Sequence, residues 1–271
     1  MCTYGDSDHI IQVLPNTELW EWPYLKGILA SVPDSLKARY RFVITDHRTA
    51  VPDPDLQTVV FYLSNEDGRL PGYVKQVAAL FTPYPPKVSY PHVYPIPLGP
   101  GVWPVSKNPM PIEQRPVDVF FSGRKLHRRK AALDAMDRLE RDPEVQTKVH
   151  RTQGFGQGLS QSEYSTALSQ AKVAIAPEGN FSNVTFRHFE ALQHGCVVIS
   201  APLPDAWCYR DFPGYQLTNW QHLPALVKGL LKRPAKLRSL RESAYTYHKR
   251  AWAPEAVAGY IAQALSRAPD P

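Results

Sequence analysis

Short runs rich in β-branched and aromatic residues recur at 10–14, 41–45, 58–63 and 93–96, and they predict four strands. A helical spacing of apolar positions fills 17–31 (TELWEWPYLKGILAS), broken near Pro23, and a second fills 70–80, opening near Pro71. Strands alternating with helices predict a parallel sheet joined by crossovers. Residues 97–104 (PLGPGVWP) and the VSKNPMPIEQRP that follows are proline-rich without apolar periodicity, so they read as a linker. The alternation then resumes. Strands are predicted at 117–121, 147–150, 173–176 and 196–200, and helices at 130–141, 161–170 and 184–194. Three helices close the chain at 223–231, 234–247 and 254–267. Ser160 and Glu163 have the spacing of a capping box, and Gly195 stands where a left-handed helix cap is expected. The pattern predicts an α/β protein of two β/α units, residues 1–107 and 108–271, the second carrying the C-terminal helices.

Composition narrows the class. With 43% hydrophobic and 21% charged residues, the chain can bury a core and is not a disordered tail. No apolar run approaches the roughly 18–20 residues of a spanning helix. The opening MCTYGDSDHIIQVLP lacks the basic-then-apolar order of a signal peptide. Three cysteines, none at zinc-ligand spacing, predict neither a disulfide framework nor a zinc site, so a reducing, cytoplasmic setting is expected. Thirty-one Lys and Arg against 25 Asp and Glu give a net charge of +6. That charge suits an anionic partner: a phosphorylated small molecule, nucleic acid, or a membrane surface met peripherally. The basic residues cluster at 124–130 and 228–241, where solvated helix faces are the alternative reading.

The chemistry concentrates in 171–200, AKVAIAPEGNFSNVTFRHFEALQHGCVVIS. A buried strand ends in a polar loop that feeds a helix N-terminus, and a second buried strand follows. Ligands of doubly wound sheets bind at the carboxyl ends of strands, where helix N-termini favour phosphate. The loop offers Glu178, Gly179, Asn180, Ser182, Asn183 and Thr185, more polarity than a connection requires. On the helix, Phe186, Phe189 and Leu192 form the expected buried stripe, leaving Glu190 out of it. Arg187, in the first turns, can reach a diphosphate. Glu190, three residues on, can accept both hydroxyls of a ribose; a surface salt bridge between the two is the structural alternative. Ser122-Gly123-Arg124, after the strand VDVFF, reads as a small turn offering amides and a guanidinium.

Taken in order, these features resemble the exostosin-like (family 47) glycosyltransferases. The elements of the resemblance are Pro177, Gly179, Arg187, Glu190-Ala191, Gly195-Cys196 and the run Val197-Val198-Ile199. Earlier pieces are similar too: Ser64-Asn65-Glu66-Asp67, Phe81-Thr82-Pro83-Tyr84, Pro97-Leu98-Gly99 and Phe120-Phe121-Ser122-Gly123-Arg124. Asn65 and Thr82 stand where the family has acidic and basic residues. The resemblance spans about residues 58–205. It implies a GT-B fold, two Rossmann-like domains facing a cleft, and inverting, metal-independent transfer from a nucleotide-sugar, most often a UDP-sugar, to a glycan or other hydroxyl acceptor. It assigns the donor diphosphate to Arg187 and Ser122-Gly123-Arg124, with Ser182 and Asn183 at the helix start. It assigns the ribose to Glu190, and the loop residues Glu178, Gly179, Asn180 and Thr185 are further candidates for ribose or sugar contacts. No metal and no cofactor beyond the nucleotide-sugar co-substrate is implied.

Inverting transfer needs a base for the acceptor hydroxyl. Strand ends in the first half offer Asp46 or His47 and Glu66 or Asp67; Glu66, at the family's acidic position, is preferred, with Asp46 next. Asp53-Pro54-Asp55 has a metal-binding DxD spacing but lies in a proline turn before a strand, where such residues are expected anyway. GFGQG at 154–158 lacks a Walker lysine, although Phe155 or Gln157 could wall a nucleobase. A non-catalytic nucleotide-sugar or glycan-binding module is the competing reading. A nucleic-acid binder is a weaker one, since no helix-turn-helix, zinc finger or aromatic–basic strand pattern accompanies the charge.

Overall fold

A computed structural model describes residues 2–4, 11–13, 20–86, 89–101, 110–154 and 157–267. Contacts divide the chain into two units. The first comprises Met1–Gly99, Asp205–Arg210 and Arg250–Pro271, and the second Pro100–Pro204 and Asp211–Lys249.

The first unit is built on a sheet of six strands, β1 (Cys2–Tyr4), β2 (Ile11–Val13), β3 (Arg41–Asp46), β4 (Thr58–Leu63), β5 (Ala79–Thr82) and β6 (Val93–Pro95), lying in that order. β1 is antiparallel to β2 and every later pair is parallel. β4 is buried at every position, which is why it reads as an unbroken apolar run: a parallel strand is covered on both faces. Helices α1 (Trp22–Ser31) and α2 (Asp34–Arg39) precede β3. Pro23 opens α1 rather than breaking it, because an imino nitrogen costs nothing in the first turn. The face Tyr24, Leu25, Ile28 and Leu29 packs into a core with Phe42, Phe61 and Phe81. The helix expected over 70–80 does not form. One 3-10 turn, Val74–Gln76, leads into β5. Periodicity cannot separate a buried strand from a helix over so short an apolar run, and pairing of Ala79–Phe81 with β4 decides for the strand.

The second unit carries β7 (Val117–Arg124), α3 (Lys130–Glu140), β8 (Thr147–Thr152), α4 (Gln161–Ser169), β9 (Ala171–Ala176), α5 (Phe186–Gln193), β10 (Val197–Ser200), β11 (Tyr215–Gln216), α6 (Leu223–Leu231) and α7 (Pro234–Tyr247). The strands are parallel in the order β8-β7-β9-β10-β11. The chain therefore reverses direction across the sheet between β7 and β9, a topological switch point. The β7–β9 ladder stops at Phe120–Ala174, whereas β7 continues beside β8 to Arg124–Thr152. Alternate residues Val119, Phe121, Val173, Ile175, Val197 and Ile199 share a core with α3 and α6. The Ser160–Glu163 capping box opens α4, and Gly195 closes α5 at φ +68. At the amino end of the sheet Arg115, 1% exposed, donates to the carbonyls of Ala171 and His194, both at 2.6 Å.

The final helix, α8 (Pro254–Leu265), follows a π turn at His248–Trp252 and belongs to the first unit. Its Val257, Ala258 and Ile261 join the core of α1, an exchange that a division at 107/108 does not anticipate. Residues 102–109, where the linker was expected, lie outside the described residues. Among the described residues, no helix is long and apolar enough to cross a membrane.

Candidate functional site

The switch point of the second sheet collects several of the expected residues. Ser122, Gly123 and Arg124 do not form a turn. They are the last three positions of β7, paired with His150, Arg151 and Thr152 of β8. The polar Ser122 and small Gly123 had marked the strand's end in the sequence, but pairing with β8 carries the strand through them. Arg187, in the first turn of α5, donates from Nε to the Ser122 carbonyl at 2.8 Å. Its guanidinium lies 5.5 Å from the centre of the Phe121 ring, within cation–π range. A β-carbon at residue 123 would come within 2.3 Å of Arg187 Nη2, so glycine is what leaves room for the guanidinium. No carboxylate among the described residues ion-pairs with Arg187, and Glu190 Oε2 instead accepts the Tyr164 hydroxyl at 2.8 Å.

The loop between β9 and α5 is tied down along its length. Arg129 is buried; its Nε donates to the Glu178 carbonyl and its Nη1 to the Arg124 carbonyl at 2.9 Å. One guanidinium thus links the chain at the carboxyl ends of β7 and β9. Arg128 donates to the Asn180 carbonyl at 3.0 Å and to Asn183 Oδ1 at 3.4 Å. Gly179 N–H donates to the Ser182 carbonyl at 2.7 Å, and Ser182 Oγ accepts from the Val184 amide at 3.0 Å. Asn183 Nδ2 donates to the Pro202 carbonyl at 2.8 Å. Ser182 and Asn183 therefore hold the loop with the groups that were expected to hold a ligand. Thr185 caps α5, its hydroxyl 3.2 Å from His188 Nδ1. Glu178 accepts from the Trp220 indole at 3.2 Å through Oε1, while its Oε2 is buried with no hydrogen-bond partner. An orphaned carboxylate oxygen of this kind calls for a water or a ligand hydroxyl. Arg128 and Arg129 were visible only as part of a basic cluster; their fixed spacing after β7 was the available signal.

α5 is covered more completely than its apolar stripe suggests. His188, Phe189, Glu190, Ala191 and Leu192 are buried, and Phe186 is only half-buried. Glu190, expected outside the stripe, is 4% exposed. The reason is that α5 packs on β9 and β10 and also against α7, while Tyr164 of α4 reaches Glu190. Burial, with Glu190 next in weight, pushes the Tyr164 hydroxyl well above its ordinary range. Burial also holds His188 neutral, its pKa pulled down to about 4, with Arg187 adding to the effect. Phe155, a candidate wall for a nucleobase, lies outside the described residues.

The carboxylates expected to supply a base lie in the first unit. Asp46 Oδ1 accepts from the Arg48 amide at 2.9 Å and the Thr49 hydroxyl at 3.0 Å, the bonding of a turn after β3. Asp55, of the discounted DxD spacing, is likewise a turn residue, accepting from Thr58 Oγ1 at 2.6 Å and the Gln57 amide at 3.1 Å. Glu66 is half-buried after β4. Sequence reasoning missed Glu21, which precedes α1 and is 4% exposed. Burial above all, opposed by a backbone hydrogen bond and helped by the charges of Glu66 and Asp46, lifts its carboxyl to a pKa of about 7. A helix N-terminus favours a carboxylate by only about 0.3–1 kcal/mol. Each pKa unit is worth about 1.4 kcal/mol, so desolvation wins here. The only hint in the sequence was an acidic residue wedged between Trp20, Trp22 and the helix-opening Pro23.

No protein-family model matches the chain, and no curated protein matches it in sequence. Solved structures do. TarM aligns over 89% of this chain and 57% of its own, with 9% identity and a TM-score of 0.55. A GtfA/B complex aligns over 91% and 60%, with 12% identity and a TM-score of 0.54. The chain thus spans less than two thirds of either. An α1,3-fucosyltransferase solved with GDP aligns over 96% of this chain and 91% of its own, with 8% identity and a TM-score of 0.55. Likeness at such identities defines the fold: this is a two-domain, Rossmann-like α/β protein of the GT-B type.

Proposed function

We propose that this protein is a glycosyltransferase that moves a sugar from a nucleoside-diphosphate sugar, a UDP-sugar by the exostosin-like resemblance, to a hydroxyl of a glycan or similar acceptor. One observation carries the reading. A guanidinium without a carboxylate partner among the described residues, Arg187, is fixed on the carboxyl end of β7 at a sheet switch point and at the start of α5. That is a site for a diphosphate. The structural likeness supports it: a mutant of S. aureus TarM has been solved in complex with UDP, and the fucosyltransferase with GDP.

In the reaction the acceptor oxygen bonds the anomeric carbon while the bond from that carbon to the diphosphate oxygen breaks. The electron pair leaves on the diphosphate, where Arg187 and the α5 amides offset the growing charge. Attack from the face opposite the leaving group inverts the anomeric centre. The acceptor proton passes to a carboxylate acting as the base. Of Glu21, Glu66 and Asp46, we assign the base to Glu21, whose pKa near 7 matches the task, with the other two raising it. Arg187 and the helix amides supply the charge stabilisation, so the reading requires no metal. Glu190 and Glu178 Oε2 serve the ribose and the sugar.

The test is calorimetry with UDP, GDP, CMP, ADP and their sugar conjugates, with and without EDTA. One nucleoside diphosphate should bind selectively and equally well in both buffers. At a hundredfold excess over its Kd it should stabilise the fold by about 2.7 kcal/mol. A flat panel from folded protein would remove the proposal.

A further inference from the structure

Phe181 is 69% exposed, the highest exposure of any large apolar side chain among the described residues. A scattered surface phenylalanine normally needs no explanation. This one is different because the loop that carries it is hydrogen-bonded on both sides of it. It stands at the tip of the loop between β9 and α5, inside the closed turn made by the Gly179–Ser182 bond. Arg128 holds the carbonyl of Asn180 just before it and the side chain of Asn183 just after it. Arg129 anchors Glu178 from below, and Asn183 ties the far side of the loop to Pro202. Gly179 permits that close turn: a β-carbon there would meet the Ser182 carbonyl oxygen at 2.7 Å. An aromatic face held out to water by a preordered loop is already positioned for a ligand, so stacking on it costs little ordering entropy.

Its place in the chain says which part of the ligand. On the donor reading just given, Glu190 takes the ribose and Arg187, one turn earlier, the diphosphate. The same direction along the chain runs off the start of α5 into residues 178–182. There Glu178 Oε2, buried and lacking a partner, offers a carboxylate oxygen, and Phe181 offers an apolar face. A carboxylate acceptor and an exposed aromatic ring on one short loop suit a pyranose, which has hydroxyls at its edge and C–H bonds on its faces. We infer that Phe181 is the stacking platform for the transferred sugar of the donor and a determinant of which sugar is accepted. This rests on the donor-site reading above.

The experiment compares two ligands on three proteins by calorimetry: the nucleoside diphosphate selected by the panel and its hexose conjugate, on wild type, Phe181→Ala and Phe181→Trp. Phe181→Ala should keep the diphosphate Kd within about twofold and weaken the conjugate roughly five- to tenfold, the scale of one aromatic contact. Phe181→Trp should restore the conjugate. The ring is exposed, so neither variant should shift Tm by more than about a degree. Equal weakening of both ligands, or no weakening of either, overturns the sugar contact while leaving the donor site standing. Wild type that binds neither ligand overturns the donor site, and the inference with it.

Discussion

The two sheets make different kinds of candidate site. In the first, successive strands lie side by side in chain order, so no pair of strand ends is forced apart. Its chemistry comes from a carboxyl kept partly protonated by burial and by two like charges, Glu21 beside Glu66 and Asp46. In the second, the chain reverses between β7 and β9, and the ladder there ends early. Its chemistry comes from guanidinium groups bonded to backbone carbonyls: Arg187 to Ser122, and Arg129 to Arg124 and Glu178. A charge fixed by backbone suits a task that needs a constant charge, such as holding a diphosphate. A carboxyl poised near neutrality suits a task in which a proton must move. The contrast is one of proton affinity as much as of sign.

The contrast can be broken at either end. Glu21→Gln should lower turnover by about 10²–10⁴, the usual contribution of a general base, and leave the diphosphate Kd unchanged. A parallel loss of binding would erase the division of labour. Arg187→Ala should do the reverse, weakening diphosphate binding roughly 10- to 150-fold, the worth of a charge-assisted hydrogen bond. Polynucleotide binding, if the basic surface supports any, should survive that change.

The next effect is on stability. The folded pKa of Glu21 lies above its unfolded value, so the native state holds the proton longer. Its contribution is intact below about pH 4.5 and is lost as pH rises to about 7. Glu21→Gln should therefore match wild type in denaturant titrations at pH 4.5 and exceed it by about 3 kcal/mol at pH 8. Equal stability at both values would mean the carboxyl is not desolvated. The smallest effect sharpens the other end. Gly123→Ala displaces the Arg187 guanidinium and presses on the buried Phe121 ring at 3.1 Å, so Tm should fall by only a few degrees while diphosphate affinity falls a few-fold. Unfolding of that variant would show the strand itself, not the guanidinium, to need the glycine.

Much of this was legible in the sequence. β4, α6 and α7 have the bounds expected from their apolar patterns, and the Ser160 capping box and Gly195 cap are present. Such signals are local. What escaped was set by partners far along the chain. β5 became a strand because β4 was there to pair with it. β7 ran through Ser122 and Gly123 because β8 continued beside it. Glu190 is buried because Tyr164, 26 positions earlier, bonds it. Glu21 escaped for the same reason: its two charged neighbours follow at positions 46 and 66, and burial is invisible in a residue's identity.

The return of α8 to the first unit has a consequence for how the protein is made. Leu25, Ile28 and Leu29 are covered in part by Val257, Ala258 and Ile261. Those residues leave the ribosome more than two hundred positions after α1. The second unit, whose sequence is complete at Lys249, is translated in full while the first still lacks a wall. Domains generally fold as units during synthesis, and apolar surface left waiting is the part that aggregates. The nascent chain therefore carries an open apolar face for most of its translation, and a ribosome that stalls before Pro254 releases a chain whose second half can fold and whose first half has no lid.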